Sequence, residues 1–103
     1  MCHMIGLRMA RDKSDGVTVN VLEPGVIETK LLKRGGYSGS PVKEGSVAPV
    51  HLTTAEELKN VTGEYFNNRG KKIASHPMAL DTANQDRLWK MSEEICAKFG
   101  ITF

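Results

Sequence analysis

"VTVNVLEPGVIETKLL", which occupies residues 17–32, joins an apolar, β-branched run to an abrupt Pro-Gly pair. Within residues 17–22 only Thr18 and Asn20 interrupt the aliphatic side chains. A nearly continuous aliphatic run is typical of a strand that a parallel sheet buries on both faces. The stretch therefore predicts a strand over residues 17–22, and the segment after the Pro-Gly pair predicts a short helix over residues 28–34.

The residues that follow this strand form a candidate ligand site, because ligands of open α/β sheets bind beyond the carboxyl ends of the strands. Pro24 ends hydrogen bonding to a neighbouring strand, and Gly25 permits a close approach of the backbone. The backbone groups of Val26 and Ile27 are placed to meet an amide, and Thr29 is placed to meet a phosphate at a helix N-terminus. The pattern alone favours a plainer interpretation, a strand-to-helix turn with Thr29 as the N-cap.

The rest of the chain alternates helical and extended patterns. Apolar residues followed by basic ones predict a helix over residues 1–13. Residues 41–58 are predicted to be largely helical, with a kink or break at Pro49. Residues 61–66, which end in "GEYF", predict a second strand, and the polar residues 67–77 predict a loop.

The last helix has the clearest pattern. Asp81 is a suitable N-cap, and Gly100 is a suitable stop after a helix that runs to Phe99. Apolar side chains recur at steps of three and four residues, which predicts one buried face. That face consists of Leu88, Met91, Ile95 and Phe99.

The order helix, strand, helices, strand, helix predicts an α/β fold with parallel strands joined by right-handed crossovers. Two strands are too few for a stable open sheet, and the strand over residues 17–22 would keep an unpaired edge. The first helix has no N-cap, so the pattern begins inside a helix. We therefore predict the C-terminal part of a doubly wound, Rossmann-like parallel sheet domain, with about two strands and flanking helices. Residues 1–103 are predicted to form a single partial domain.

Composition and charge exclude several classes of function. The 103-residue chain carries a net charge of +2 at pH 7, too small a basic excess to predict nucleic-acid binding. Cys2, Cys96 and the three histidines show no metal-ligand spacing, so no metal site is predicted. Two isolated cysteines and the lack of a signal-peptide pattern predict a cytoplasmic protein with reduced thiols. No run approaches the roughly 20 apolar residues of a bilayer-crossing helix, so no membrane span is predicted.

Three motifs resemble those of the short-chain dehydrogenase/reductase family. The aliphatic strand with Asn and then Pro-Gly-x-x-x-Thr is similar to the sixth-strand motif of that family, and "MIGLRMAR" is similar to the latter part of its catalytic helix. The C-terminal region is similar to the tail of the retinol-dehydrogenase-like branch, with a T-G-x-Y-F strand and a helix carrying R-L-W-x-x-S-E. The matching residues are Thr62, Gly63, Tyr65 and Phe66, then Arg87, Leu88, Trp89, Ser92 and Glu93.

The resemblance implies an oxidoreductase that uses NAD or NADP and acts on a small-molecule alcohol or carbonyl, of lipophilic character. It implies that Pro24, Gly25 and Val26 line the nicotinamide pocket, with the backbone of Val26 against the carboxamide. It assigns Thr29 a hydrogen bond to the carboxamide or the pyrophosphate. Residues 30–39 would belong to the substrate loop.

Two motifs of that family are absent from this sequence. No Gly-x-x-x-Gly-x-Gly follows a strand, and neither tyrosine begins a Tyr-x-x-x-Lys, since Pro41 follows Tyr37 and Arg69 follows Tyr65 at that spacing. Hydride transfer to a carbonyl needs a proton donor to the oxygen and a cofactor held in register. No catalytic residue is therefore assigned, and we expect the chain to be inactive alone.

A second hypothesis is a non-catalytic chain that acts by association with itself or with full-length relatives. The helices from Met1 to Lys13 and from Pro41 to Leu58 correspond to helices that the family commonly uses in its dimer interface. Separately, the basic run "RGKK" at residues 69–72 is of a type that meets phosphates or anionic membranes. So short a run favours a solvated loop.

Overall fold

A computed structural model of the chain describes residues 1–12 and 15–102. Six helices, one 3₁₀ turn and three short strands are present in these residues. Lys13, the last residue of the predicted first helix, lies outside them. The helices are α1 (Cys2–Asp12), α2 (Lys30–Arg34), α3 (Val42–Gly45), α4 (Val47–Thr54), α5 (Pro77–Leu80) and α6 (Thr82–Ala97). The strands are β1 (Val21–Leu22), β2 (Tyr65–Phe66) and β3 (Lys72–Ile73), and the 3₁₀ turn is Glu56–Leu58.

The three strands form one mixed sheet in the order β1-β2-β3. β1 pairs in parallel with β2, with Val21 opposite Tyr65 and Leu22 opposite Phe66. This confirms the predicted α/β alternation and its parallel strand pair. β2 pairs antiparallel with β3, so the sheet has three strands instead of about two and is not purely parallel.

The prediction of a loop over residues 67–77 was wrong at Lys72–Ile73, which form β3. The side chain of Asn67 accepts hydrogen bonds from the backbone N–H groups of Arg69 and Lys71, at 2.9 and 3.0 Å. Gly70 adopts a φ of 73°, which glycine reaches without steric cost. These features make a tight hairpin turn, and a strand of two residues after it leaves no periodic signal in the sequence.

The predicted first strand is shifted rather than absent. Residues 17 and 18 are exposed, whereas the backbone of Val19 accepts from Gly63 N–H at 2.8 Å and Glu23 N–H donates to Phe66 at 2.9 Å. The hydrogen-bonded ladder therefore extends beyond the two residues of β1, from Val19 to Glu23. The β-branched run predicts the strand, but its position is decided by the partner.

Asn20 clamps this ladder with its side chain. Its amide nitrogen donates to the carbonyl of Val61 at 2.8 Å, and its oxygen accepts from the N–H of Glu64 at 3.1 Å. Beside it, the Thr62 hydroxyl accepts from Val19 N–H at 3.0 Å. Asn20 and Thr62 thus supply hydrogen bonds where the two backbones do not pair directly.

The break in the helical region lies at Ser46, not at Pro49. α3 ends and α4 begins on either side of Ser46, and Pro49 is the third residue of α4. The first N–H groups of an α-helix have no partner within the helix, so a proline there removes no hydrogen bond. The predicted kink at Pro49 was therefore wrong, because it placed the proline in a helix interior.

The N-cap and the glycine stop of α6 confirm the sequence prediction, although the helix ends at Ala97 rather than at Phe99 and its apolar face does not lie in a core. The Asp81 side chain accepts from Ala83 N–H at 2.9 Å. Gly100 has a φ of 74°, and Ile101 N–H reaches back to the Cys96 carbonyl at 3.1 Å. Of the predicted buried residues, Leu88 is half-buried, whereas Met91, Ile95 and Phe99 are exposed, Phe99 by 78%.

α6 packs against α1 through a polar and aromatic set instead. The carboxylate of Asp86 lies 2.7 Å from Arg8 Nε and 3.1 Å from Arg11 Nη1. Gln85, buried between the helices, accepts from Arg11 at 3.0 Å and donates to the Ala79 carbonyl at 2.6 Å. The Arg8 guanidinium also lies over the Trp89 ring, 5.5 Å from its centre.

This cluster shifts the protonation of its members. The hydrogen bond from Arg11 lowers the pKa of Asp86, and the charges of Arg11 and Arg8 act in the same direction. The hydrogen bond to Asp12 raises the pKa of Arg8, and the negative charges of Asp12 and Asp86 act in the same direction. Asp86 and Arg8 are therefore both charged near neutral pH, and the attraction between α1 and α6 depends on Asp86 being ionised.

The buried hydrophobic core is small for a chain of this length. The buried apolar residues among those described are Leu7, Ala48, Phe66 and Ala79. The accessible surface is 7812 Å², compared with about 5,700 Å² for a folded monomer of 11.3 kDa. The radius of gyration is 15.9 Å, compared with about 13 Å for a compact domain of 100 residues.

In the described part of the chain, no helix combines the length and the apolar character needed to cross a membrane.

Replacing Asp86 by Asn should lower the urea midpoint at neutral pH and leave it unchanged in acid. The folded pKa of Asp86 lies below its unfolded value, so its contribution is present above the unfolded pKa and is lost as pH falls through the folded pKa. The measurement is the urea midpoint of wild type and variant from pH 7 downward. Glu94→Gln removes the same charge from an exposed position on α6 and is the control. A D86N effect that persists in strong acid would contradict this origin.

Replacing Asn20 by Ala should destabilise the chain by about 1–3 kcal/mol, because two backbone groups lose a half-buried partner. Equilibrium urea unfolding measures the change in the free energy of unfolding. Asn60→Ala, at an exposed asparagine in the turn before β2, is the matched control and should change it by less than about 0.5 kcal/mol. Equal effects of both variants would show that Asn20 is not a clamp.

Candidate functional site

The Pro-Gly turn lies directly beyond the carboxyl end of β1. Gly25 has a φ of 75°, and its N–H donates to the side chain of Glu23 at 2.6 Å. A Cβ at position 25 would lie 2.7 Å from the amide nitrogen of Asn68, closer than non-bonded atoms approach. The backbone angle therefore favours glycine here, and any larger residue would also have to displace the Asn68 side chain.

Val26 and Ile27 pair with a distant segment of the chain. The Val26 carbonyl accepts from Ser40 N–H at 2.9 Å, and the Ser40 carbonyl accepts from Glu28 N–H at 2.8 Å. Ile27 and Ser40 form an isolated parallel bridge. The carbonyl of Val26 is thus already engaged within the chain, and the Val26 side chain is exposed by 61%.

Thr29 is the N-cap of α2, as one of the two interpretations of the sequence predicts. Its hydroxyl oxygen accepts from Leu32 N–H at 3.3 Å, and its own N–H donates to the Ile27 carbonyl at 2.8 Å. A hydroxyl that accepts in this way keeps its hydrogen as a donor. The exposed Thr29 side chain can therefore cap the helix and still donate to a ligand.

An open hollow of about 400 Å³ lies between the β1–α2 connection, α3 and the β2–β3 turn. It sits beyond the carboxyl ends of the parallel pair β1 and β2, where ligands of α/β sheets bind. We refer to it as the strand-end hollow, and its lining is of mixed polarity. The lining residues are Pro24, Ile27, Ser40, Glu44, Gly45, Val47, Asn68 and Arg69.

The structure brings only part of the predicted set to this hollow. Pro24 lines it, and Gly25 lies at its edge against Asn68. Val26 and Thr29 follow in the same connection but are not part of the lining. The predicted role of the four residues in cofactor binding remains a prediction, and the geometry describes only where they lie.

Two residues that come after β2, Asn68 and Arg69, line the hollow opposite Pro24. The sequence singles out Arg69 only within the basic run at residues 69–72, for which it favours a solvated loop, and it assigns no role to Asn68. The parallel pairing of β1 with β2 was the available signal, since parallel strands place the residues that follow them at the same edge of a sheet. Ser40 and Glu44 come from a separate segment and have no such signal.

Close packing of α3 closes one side of the hollow. A Cβ on Gly45 would lie 2.6 Å from the terminal carbon of Ile27, so the helix approaches this connection only because residue 45 has no side chain. Glycine within a short helix lowers its intrinsic stability. The contact with Ile27 explains why it is found there.

A second polar cluster ties α1 to the sheet. His3 Nε2 lies 3.0 Å from the Ser75 hydroxyl, and the His3 ring lies 4.3 Å from that of Tyr65. Partial burial lowers the pKa of His3, and the positive amino terminus adds to this effect. Among the described residues no group of three or more His, Cys, Asp or Glu side chains is placed to hold a metal ion.

Comparisons with known proteins give consistent matches. The chain is 34% identical over 101 residues to retinol dehydrogenase 13 of Homo sapiens, and it is 30% identical over 101 residues to polyprenol dehydrogenase of Danio rerio. It is 27% identical over 96 residues to the chloroplastic short-chain dehydrogenase TIC 32 B of Brassica napus. These matches cover 82%, 86% and 82% of the chain, respectively.

The chain belongs to the short-chain dehydrogenase/reductase family. Within that family it is similar to the retinol-dehydrogenase-like branch. The chain spans about 30% of the length of these relatives. No family model matches the chain, and no solved structure matches it at a significant level.

Replacing Gly25 by Ala should destabilise the chain by more than the same change at Gly36. Both glycines have a φ of 75°, but a Cβ at Gly36 meets nothing within 4 Å. Gly36→Ala therefore costs only the left-handed backbone penalty of about 1–2 kcal/mol, whereas Gly25→Ala adds the clash with Asn68. Urea unfolding of both variants measures the difference.

The double variant Gly25→Ala with Asn68→Ala removes the amide group that clashes and leaves the Asn68 Cβ at 3.3 Å. Measured against Asn68→Ala alone, the cost of Gly25→Ala should fall most of the way to that of Gly36→Ala. A cost that does not fall would show that the contact with the Asn68 amide is not its source.

Proposed function

We propose that the chain is the C-terminal part of an NAD(P)-dependent oxidoreductase domain with a doubly wound, Rossmann-like sheet, and that it supplies the wall facing the nicotinamide. The observation that carries this proposal is the position of the Pro24-Gly25 turn. It lies beyond β1, beside the residues that follow β2, and borders the strand-end hollow. Membership of the short-chain dehydrogenase/reductase family supplies the cofactor class, NAD or NADP.

The roles proposed for the four residues follow from what each can offer. Pro24 and Gly25 present a flat, rigid backbone surface to an aromatic ring. The Val26 carbonyl is engaged with Ser40, so its N–H is the group proposed to meet the carboxamide. Thr29 is proposed to donate its hydroxyl hydrogen to the carboxamide or the pyrophosphate while its oxygen caps α2.

The substrate class proposed is a lipophilic alcohol or carbonyl. Two of the relatives are named as dehydrogenases of retinol and polyprenol. The cofactor would supply or accept the hydride. Because this sequence contains no Tyr-x-x-x-Lys to exchange a proton with the substrate oxygen, we propose that turnover requires groups from another part of the domain.

The surface area supports a partial domain. The chain exposes about 2,000 Å² more than a self-contained monomer of its mass would expose. The exposed face of α6, with Met91, Ile95 and Phe99, contributes to this excess.

The free thiols Cys2 and Cys96 support the proposed cytoplasmic location, where cysteines stay reduced.

Association with full-length relatives is the second candidate function. The observation that favours association is the exposed apolar surface of α3 and α4, where Val42, Val47 and Val50 are each more than half exposed. α1, the other helix in this hypothesis, packs on α6 and buries Leu7. Association would therefore use the surface of α3 and α4.

Titration of the 103-residue chain with NADH and NADPH tests the cofactor proposal. We expect a saturable rise in the thermal midpoint. Thr29→Asp keeps an N-cap but places a negative charge beside the cofactor, so affinity should fall at least tenfold while stability is kept. Thr29→Ser, which keeps the hydroxyl, should bind as wild type does.

Three outcomes would contradict the proposal. The proposed cofactor wall would be wrong if the wild-type chain bound neither nucleotide. It would also be wrong if the Thr29→Asp variant bound as tightly as wild type. Oxidation of NAD(P)H with an aldehyde by the chain alone would overturn the proposal that turnover needs other groups.

A further inference from the structure

The strand-end hollow is lined by an arginine that makes no ion pair within the described part of the chain. Arg8 and Arg11 lie against Asp86, and Lys72 lies 3.9 Å from Glu64. Arg69, which lines the hollow, has no carboxylate within ion-pair distance among residues 1–12 and 15–102. Its guanidinium is therefore available to a ligand.

The backbone that carries Arg69 is fixed in position. Asn67 accepts hydrogen bonds from Arg69 N–H and Lys71 N–H, and Gly70 N–H donates to the Asn67 carbonyl at 3.0 Å. Only the side chain of Arg69 must be ordered on binding. A cation on a fixed backbone loses less conformational entropy when it binds than a cation on a flexible loop.

Asn68 places a neutral donor next to this cation. Its amide nitrogen lies 2.7 Å from where a Cβ on Gly25 would be, so the side chain rests on the Pro-Gly turn at the edge of the hollow. Ser40 adds a hydroxyl from the opposite connection. A guanidinium, an amide and a hydroxyl together form a donor set suited to phosphate or carboxylate oxygens.

We propose that the strand-end hollow binds the oxyanion of a small molecule, a phosphate or a carboxylate, through Arg69 and Asn68. Arg69 offers two parallel N–H donors in the geometry that such oxyanions accept. Glu44 on α3 lines the same hollow, and its negative charge repels the bound anion. We therefore expect the affinity to be moderate. This site goes beyond the nicotinamide wall and does not depend on it, because neither Arg69 nor Asn68 belongs to the β1–α2 connection.

Amide and side-chain NMR of the ¹⁵N-labelled chain tests the site, with inorganic phosphate and with acetate as probes at constant ionic strength. Saturable shifts are expected for the Asn68 amide, Arg69 Nε–H and Ser40. Arg69→Gln should weaken binding about tenfold or more, since it removes a charge-assisted donor pair. Glu44→Gln should strengthen it severalfold by removing the opposing charge.

Arg87→Gln is the matched control. It removes the same charge from an exposed arginine on α6, outside the lining of the hollow, and should leave affinity unchanged. Because Arg69 and Arg87 are both exposed, neither substitution should lower the urea midpoint, and unchanged midpoints would show that both variants are folded. Equal weakening in the two variants, or shifts that do not saturate in the wild type, would overturn the site.

A third titration, with NADPH, identifies the source of the oxyanion. Competition between NADPH and phosphate at Asn68 and Arg69 would support the site with the cofactor's phosphates as its ligand. Saturable phosphate shifts that NADPH leaves unchanged would support the site with a separate acidic ligand. In that second case the oxyanion site stands, and the nicotinamide proposal is decided separately by the thermal titration with NADH and NADPH, so the two failures are distinguishable.

Discussion

The parallel pairing of β1 with β2 is the constraint on which the other features depend. Only a few backbone hydrogen bonds join the two strands, and Asn20 adds two more from its side chain. This register sets the Pro-Gly turn beside the turn that follows β2, and the strand-end hollow exists because those turns meet. α1 packs on β1, where Gly6 lies against Val21, and it holds α6 through Arg8, Arg11 and Asp86.

The sequence predicts what is decided locally. Asp81, Thr29 and Gly100 have roles at helix ends that need only the neighbouring backbone, and all three occur as expected. The Pro-Gly stop and the alternation of strands with helices are local in the same sense. These features identify the fold class and one side of the candidate site.

What the sequence does not predict depends on partners far along the chain. β3 is two residues long and exists because it pairs with β2, and Ser46 rather than Pro49 divides the helical region. The apolar face of α6 has the period of a buried helix, yet α1 meets α6 on its polar side. Asn68 and Arg69 join the site only because the register brings the end of β2 next to the end of β1.

The contact between Gly25 and Asn68 has a consequence for how this sequence can change over evolutionary time. The two positions lie 43 residues apart, but the volume available to one is set by the side chain of the other. A lineage that gains a side chain at position 25 must also move or shorten the one at position 68. We therefore expect substitutions at these two positions to be correlated among close relatives, while a glycine such as Gly36, whose Cβ would meet open space, varies independently.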